Sequence, residues 1–566
     1  MAYVELHCHS AYSFLDGASQ PEELAARAAE VGYEALALTD HDGVYGSLEF
    51  AHAAKAFGVR PITGAEVTLS GVGSTEPPGS AGAGFAGAGA GRRGVGSTEP
   101  PGSAGAGFAG AGAGKRAHIT LLVESRRGYG NLCRLLTAAH AGTRTPGRED
   151  REPLPPSVPL ELVAELSEGL VCLSGCARLG FGVRDPNGAA RLARAFGRDR
   201  FFVELQRPYE RGDAHRNILL RDLAEHLGVE TVATGDVHAH HPRRTLLQDA
   251  LVAIRCRTSL EGCEPERRGN RESVLRAPEE MLERFSFARG AAERSAKIAE
   301  RLQFDLTEEL GYSYPDFSDG DEPAIRQLAA ICHHALNERY GRSNTVLRGE
   351  ARKRLEDELK LIDELGLAGF FLLHHEVLEL ARECALEVRG SESPRRFLPP
   401  GRGRGSSVGS IVCYLTGLSH VDPVANDLSL GRFLNRELAS VPDIDLDFPR
   451  DIREKLIVAV TERYGREHAA LVASFATYRS RGAIRDVGKA LGLPHAELER
   501  LSRLTDGWDA RRIAEEIERL PDGERKLDSR RWRAFAWLTG EIAGLPRHVS
   551  QHPGGMIVST RPLVEL

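Results

Sequence analysis

At 566 residues, with 41% hydrophobic and 27% charged residues, the chain has an ordinary globular composition and a length suited to about three or four domains. Its net charge of −7 excludes a globally basic nucleic-acid binder, although 73 Lys and Arg residues leave room for local basic patches. No apolar run approaches the roughly 18 residues of a membrane span, and the first residues are not expected to form a signal peptide. Nine cysteines without a CxxC pair argue for reduced thiols and a cytoplasmic location, against a disulfide framework or zinc finger.

Residues 3–9 read as a strand that points His7 and His9 the same way. Ser19 and Glu22, with Pro21 between them, predict a capping box opening a helix that runs to about Val31. A second strand ends in Asp40-His41-Asp42, and Arg60 to Glu66 repeats the plan. This β–α rhythm, with polar residues at strand ends, predicts a barrel whose site lies at its C-terminal face. Residues 71–93 then recur at 94–116 with one change, Arg92 against Lys115. The duplicated stretch is Gly/Ala-rich, without apolar periodicity, and is expected to be a disordered insertion. Further strands are predicted at 117–123, 169–176, 200–205 and 231–238. The helix between the last two, 213–227, is expected to present Ile218, Leu219, Leu223 and Leu227 as its apolar face and to stop at Gly228.

Ligand-type residues close nearly every one of these strands: His7, His9, Asp16, His41, Glu66, His118, Cys176, Asp236 and His238. A single histidine is more often a satisfied core or surface residue. Nine such residues at successive strand ends point to a shared metal site, which either braces the barrel or performs hydrolysis. The set resembles the PHP domain (polymerase and histidinol phosphatase). The resemblance implies a distorted βα barrel over 1–285, in which these nine positions hold up to three ions, Zn²⁺ or Mn²⁺. It also implies a phosphoesterase or 3′→5′ exonuclease activity as one alternative.

Residues 240–310, with Arg267, Arg268 and Arg271, read as a charged helical connector. Arg348 to Leu365 is predicted as an amphipathic helix buried through Leu355, Leu359, Ile362 and Leu365. Residues 388–397 look like a small polar insertion. Gly401-Arg-Gly-Arg-Gly-Ser406-Ser-Val-Gly-Ser410 combines glycines, arginines and hydroxyls suited to an anion, and the apolar run after Ser410 predicts a helix whose N-terminus faces it. In Asp443-Ile-Asp445-Leu-Asp447-Phe448 the carboxylates share one face of a predicted strand and the apolar residues the other. That face either binds hard divalent ions or is the solvated side of an edge strand. A helix over 452–464 follows, then a basic stretch with Arg479, Arg481, Arg485 and Lys489 around Tyr478, which either follows a nucleic-acid backbone or is a solvated face.

The Gly/Arg loop, Asp422-Pro423, Gly431-Arg432-Phe-Leu-Asn435 and Pro-Asp-Ile-Asp-Leu-Asp-Phe, in this order, resemble the palm of bacterial C-family DNA polymerases, the polymerase III alpha-subunit type, and most of all its error-prone branch. The resemblance implies a connector and nucleotidyltransferase-like palm over 286–474, an inserted helical thumb over 475–545, and the start of a returning palm segment at 546–566. It implies Asp443 and Asp445 as catalytic Mg²⁺ ligands, with Gly403, Arg404, Ser406 and Arg432 on the incoming nucleotide. The partners it implies are primer–template DNA, dNTPs, and, through segments absent here, a sliding clamp and translesion accessory proteins. A third catalytic aspartate is expected beyond Leu566, so the chain reads as truncated. The alternatives are a phosphoesterase or exonuclease acting from the barrel alone, and a non-catalytic DNA- or partner-binding fragment.

Overall fold

The computed structural model describes residues 3–72, 115–143, 154–310, 323–431, 433–436, 444–505, 509–520, 522–559 and 561–566. Most of the duplicated stretch lies outside the described residues, as do Arg432 and Asp443. The chain divides into two compact units: Met1–Glu309 with Thr477–His548, and Leu310–Ala476 with Val549–Leu566. Among the described residues no helix is long and apolar enough to cross a membrane.

The first unit is built on seven strands: β1 (Ala35–Leu38), β2 (Arg60–Val72), β3 (Lys115–Val123), β4 (Val158–Pro159), β5 (Leu170–Leu173), β6 (Phe201–Leu205) and β7 (Thr231–Ala233). They lie in the order β1-β2-β3-β5-β6-β7, with β4 beside β2. β1–β2, β5–β6 and β6–β7 are parallel, as the β–α rhythm predicts, whereas β3 runs antiparallel to both neighbours. The outermost residues of the duplicated stretch extend these strands, Val72 pairing with Lys115. Every residue of β1, β5 and β6 is buried, as expected for strands covered on both faces.

The extended N-terminal segment links the two edges of the sheet. Glu5 bridges Leu36 of β1, and Cys8 bridges Val237 just past β7. Ala37 N–H donates to Glu5 O at 3.0 Å, and His9 N–H to Val237 O at 2.8 Å. The result is the distorted βα barrel, with His7 and His9 carried inside it. Val4, Leu6, Ile62, Leu122, Leu173 and Val232 pack against Ile298 and Ala299 of the helix Arg289–Arg301.

Two local expectations change. The first helix, Pro21–Glu30, is boxed one residue later than predicted: Gln20 N–H donates to Glu23 Oε2 at 2.8 Å. Ser19 is drawn away by His240, with Oγ 2.8 Å from its Nδ1. The helix Asp213–Leu227 stops at Gly228 (φ +64°) as predicted, but it buries Asp213, Asn217, Leu220 and Ala224 and leaves Ile218 and Leu219 exposed. Asn217 decides that rotation by donating to Gln206 O at 3.0 Å, a bond an apolar-periodicity reading does not see. The helices of residues 477–548 share a core with the barrel, where Ile484, Val487, Leu498 and Phe535 pack with Leu247 and Leu251.

The second unit packs the helices Ala324–Tyr340, Thr345–Glu364, Ala368–Arg389 and Ile411–Leu415 around Leu336, Leu355, Ile362, Phe371, Ile411 and Phe433. Strands β8 (Arg402–Arg404) and β9 (Asp445–Asp447) pair antiparallel, and β10 (Ala469–Thr477) pairs with β11 (Pro546–Val558). In the acidic stretch Ile444 is buried and Leu446 and Phe448 pack on the core, while Asp445 is exposed. The alternation read from the sequence therefore sets which way this strand faces.

Candidate functional site

The barrel gathers side chains from five places in the chain. His7 and His9 come from the N-terminal segment, His41 from beyond β1, Glu66 from β2, His118 from β3, and Asp236 and His238 from beyond β7. Their ligand atoms form three overlapping groups, each within 4.8 Å: His9, His41 and His238; His7, His9, Glu66 and Asp236; and His41, Glu66 and His118. Glu66 is the hub. One carboxylate oxygen lies 2.7 Å from His7 Nε2 and 3.8 Å from His9 Nε2; the other lies 3.0 Å from His41 Nδ1 and against His118 Nδ1.

Two of the nine sequence candidates stand outside these groups. Asp16 approaches His41 Nε2 at 3.5 Å and His238 Nε2 at 3.9 Å, but it also accepts from Arg255 at 2.9 Å and Gln248 at 3.1 Å. Cys176 accepts from Leu179 N–H at 3.4 Å, and burial together with Glu66 and Asp236 pushes its thiol well above the usual range.

His9 Nε2, Asp236 Oδ1, Glu66 Oε1 and His118 Nδ1 are buried and face one another as charge pairs without a well-aligned hydrogen bond. Buried polar atoms left this way are costly, and a cluster of them converging is explained by a ligand they share. The donors are imidazoles and carboxylates, which fit divalent cations. Burial opposes charge on Glu66, but His118 and His41 hold its carboxyl well below the usual range; Arg268 and His238 do the same for Asp236. Burial, with His238 and His41, pushes His9 well below the ordinary histidine range. His9 is thus held as the neutral imidazole that metal ligation needs, whereas the neighbouring carboxylates raise His7 and His41, the latter to about 10, so that ligation by these two requires loss of a proton.

The sequence reading missed the groups behind this cluster. Glu204, buried in β6, lies 2.6 Å from His7 Nδ1 and accepts from Gln206 at 2.7 Å and from Thr234 Oγ1. It fixes the ring so that Nε2 points at Glu66, the usual task of a carboxylate behind a metal-ligating histidine. Its signal was available: it is the single charged residue in Phe-Phe-Val-Glu-Leu. Arg268, read as part of a connector, donates to Asp236 Oδ2 at 2.7 Å and lies 2.6 Å from His238 Nε2.

Gly175 shows how tightly the wall is built. Its φ is +93°, and a Cβ there would sit 1.9 Å from His118 O. Gly175→Ala is expected to cost about 3 kcal/mol of stability and to lower bound metal by displacing His118, readable by urea unfolding and metal analysis.

In the second unit the β8–β9 register sets Arg404 opposite Asp445 and Arg402 opposite Asp447. The Arg404 guanidinium turns to Asp447, Nε 2.5 Å from Oδ2 and Nη2 2.7 Å from Oδ1. The acidic face is thus partly neutralised from within. Arg404 is largely and Asp447 partly exposed, so the pair adds little to stability and opens readily. Gly405, at φ +71°, would bring a Cβ to 3.9 Å from Asp445 Oδ2. Ser406 is exposed at the loop tip.

The helix after this loop differs from expectation. Ile411–Leu415 does form, but its first amides do not face an anion. The buried Glu358 carboxylate takes them, accepting from Ile411 N–H at 3.0 Å, Val412 N–H at 3.3 Å and Ser410 Oγ. Burial pushes the Glu358 carboxyl up to about 7 despite the bonds from Ser410 and the two amides. A carboxyl raised on folding stabilises the fold at pH below its unfolded value near 4.5, and that contribution is lost as pH rises through about 7. Glu358→Gln removes this dependence. Relative to the wild type, the variant is expected to gain about 3 kcal/mol between pH 4.5 and 8, measured by denaturant unfolding across that range.

The basic stretch after β10 lies in the first unit. Arg481, Arg485 and Lys489 are exposed one turn apart on the helix Ser480–Ala490. Tyr478 is not available for base stacking: it is 2% exposed in the core, with Arg547 over its ring at 5.5 Å.

Residues 5–208 match the family model of the PHP domain, and residues 326–566 match that of the Bacterial DNA polymerase III alpha NTPase domain. A protein of Symbiobacterium thermophilum named error-prone DNA polymerase is 34% identical over 589 residues, an alignment covering all of this chain and 48% of the relative. One of the same name from Mycobacterium bovis is 34% identical over 576 residues, covering all of this chain and 46% of the relative. The chain spans about half the length of the curated relatives it matches. With the two family models matched in this order, the chain is similar over nearly all its length to the N-terminal half of bacterial polymerase III alpha-type proteins, with the PHP match in its first part.

Proposed function

We propose that the protein is a DNA-directed DNA polymerase of the error-prone type. It adds a dNMP from a dNTP to a primer 3′-hydroxyl opposite a template base and releases pyrophosphate. The observation that carries this reading is the β8–β9 ladder, which joins a glycine-rich cationic loop to an acidic strand. In this reading Asp443 and Asp445 hold Mg²⁺, and Gly403, Arg404, Ser406 and Arg432 hold the triphosphate, Arg404 exchanging Asp447 for it. Bound divalent ions would supply charge neutralisation at the transferred phosphoryl group and acidify the primer hydroxyl. The exposed Arg481, Arg485 and Lys489 are suited to the phosphate backbone of the primer–template.

The test is Mg²⁺-dependent extension of a primed template by the protein, with Asp445→Ala beside it. Extension lost in the variant supports the reading; extension indifferent to Asp445, or none even by a protein carrying this chain at the full length of its relatives, overturns it.

A second reading is favoured by the buried atoms of the barrel cluster that lack a well-aligned hydrogen bond. The nine residues, with Zn²⁺ or Mn²⁺, would hydrolyse phosphodiesters as a 3′→5′ exonuclease. Hydrolysis of a single-stranded 3′ end that survives Asp445→Ala and disappears with His9→Ala supports it; no metal-dependent hydrolysis overturns it.

A further inference from the structure

The helix Thr345–Glu364 buries Ala351, Leu355, Leu359 and Ile362, an ordinary apolar face, and with them the charged Glu358. One turn before it stands the half-buried Arg354. The two side chains reach opposite sides of one junction. Glu358 takes Ser410 Oγ and the amides of Ile411 and Val412, at the end of the Gly/Arg loop. Arg354 donates to Gly409 O at 2.7 Å, in the same loop, and to Pro423 O at 3.3 Å and Leu428 O, in the chain leading to Gly431. The two segments meet backbone to backbone: a Cβ on Gly409 would lie 2.5 Å from Ser429 O.

We infer that Arg354 and Glu358 are positioning residues that fix the Gly/Arg loop and the 423–431 segment against each other, so that both can grip one triphosphate. The inference rests on the polymerase reading, which puts Gly403, Arg404 and Ser406 on the loop and Arg432 directly after the 423–431 segment. Packing alone does not call for this pair. A buried carboxylate costs several kcal/mol unless hydrogen-bonded, and a leucine would fill the same face as its neighbours do. What the charges add is direction. Three donors on Glu358 set the rotation of residues 410–412, and Arg354 binds carbonyls of two segments with one planar fork, which a flexible ammonium does not reproduce. With the helix amides occupied by Glu358, the anion is left to the loop residues ahead of Ser410.

The test is equilibrium binding of Mg²⁺–dATP in the presence of a primed template, for the protein and for Arg354→Met, Arg354→Lys and Glu358→Gln, with thermal unfolding in parallel. Arg354→Met is expected to weaken binding roughly 10- to 100-fold, the usual effect of a misplaced contact, and Arg354→Lys to recover part of it. Glu358→Gln, which keeps an acceptor, is expected to lose less than Arg354→Met. A merely structural role would lower the unfolding temperature and leave the dissociation constant of the folded protein unchanged, and that result overturns the inference. Absence of dATP binding by the wild type overturns the polymerase reading and the inference with it, an outcome separable from the first because there the wild type binds.

Discussion

Glu66→Ala is expected to empty the barrel site. Divalent metal that copurifies with the wild type, measured by mass spectrometry after dialysis, should be lost from the variant, with an affinity drop of at least about 100-fold. The reason is geometric. Among the described residues Glu66 is the only carboxylate that faces four of the histidines, His7 and His9 through one oxygen and His41 and His118 through the other. Two of the three ligand groups contain it. Its removal also leaves His7, held well above the ordinary histidine range by Glu204 and Glu66 against burial, without one of these two carboxylates. Breaking such a buried pair costs roughly 3–5 kcal/mol. The two effects separate in one experiment. A chelator should lower the unfolding temperature of the wild type by removing a ligand of the native state, and should do nothing to the variant. Metal retained by Glu66→Ala would sink this account of the cluster.

Much of this site could be read from the sequence, because strand ends are positions that the period of two and the flanking turns mark well. His7, His9, His41, Glu66, His118, Asp236 and His238 are brought together by backbone pairing that the apolar runs already encode. What stayed hidden depends on partners distant in the chain. Glu204 sits mid-strand, where a charge looks like noise until His7 is opposite it. Arg268 becomes part of the site only through a loop that returns to Asp236. The helix Asp213–Leu227 shows the same limit: the amide of Asn217, not the apolar stripe, sets which side faces the barrel. Glu358 is a fourth case. The amphipathic pattern of its helix was legible, yet nothing local says that a glutamate on the buried side will cap another helix. Tyr478 errs in the opposite direction, an aromatic among cations whose ring the core takes up.

Asp445→Ala is expected to reduce primer extension by roughly 1,000-fold or more, equivalent to several kcal/mol of transition-state stabilisation, with no change in barrel metal content. Asp445 is exposed in the strand opposite the loop, so its removal creates no cavity and breaks no buried bond. The loss should therefore appear in kcat, with the unfolding temperature within about 1 °C of the wild type for a surface change. Asp447→Ala is the informative neighbour. It frees Arg404 from the pair that holds it, and because that pair is exposed the cost to stability is small. If Arg404 serves the triphosphate, Asp447→Ala should move KM for the dNTP by a few fold and leave most of kcat, since Arg404 loses a competitor and its tether together. Equal, large losses in kcat from both substitutions would mean that the acidic face works as one ligand set, and the division of labour between Asp445 and Asp447 would have to be abandoned.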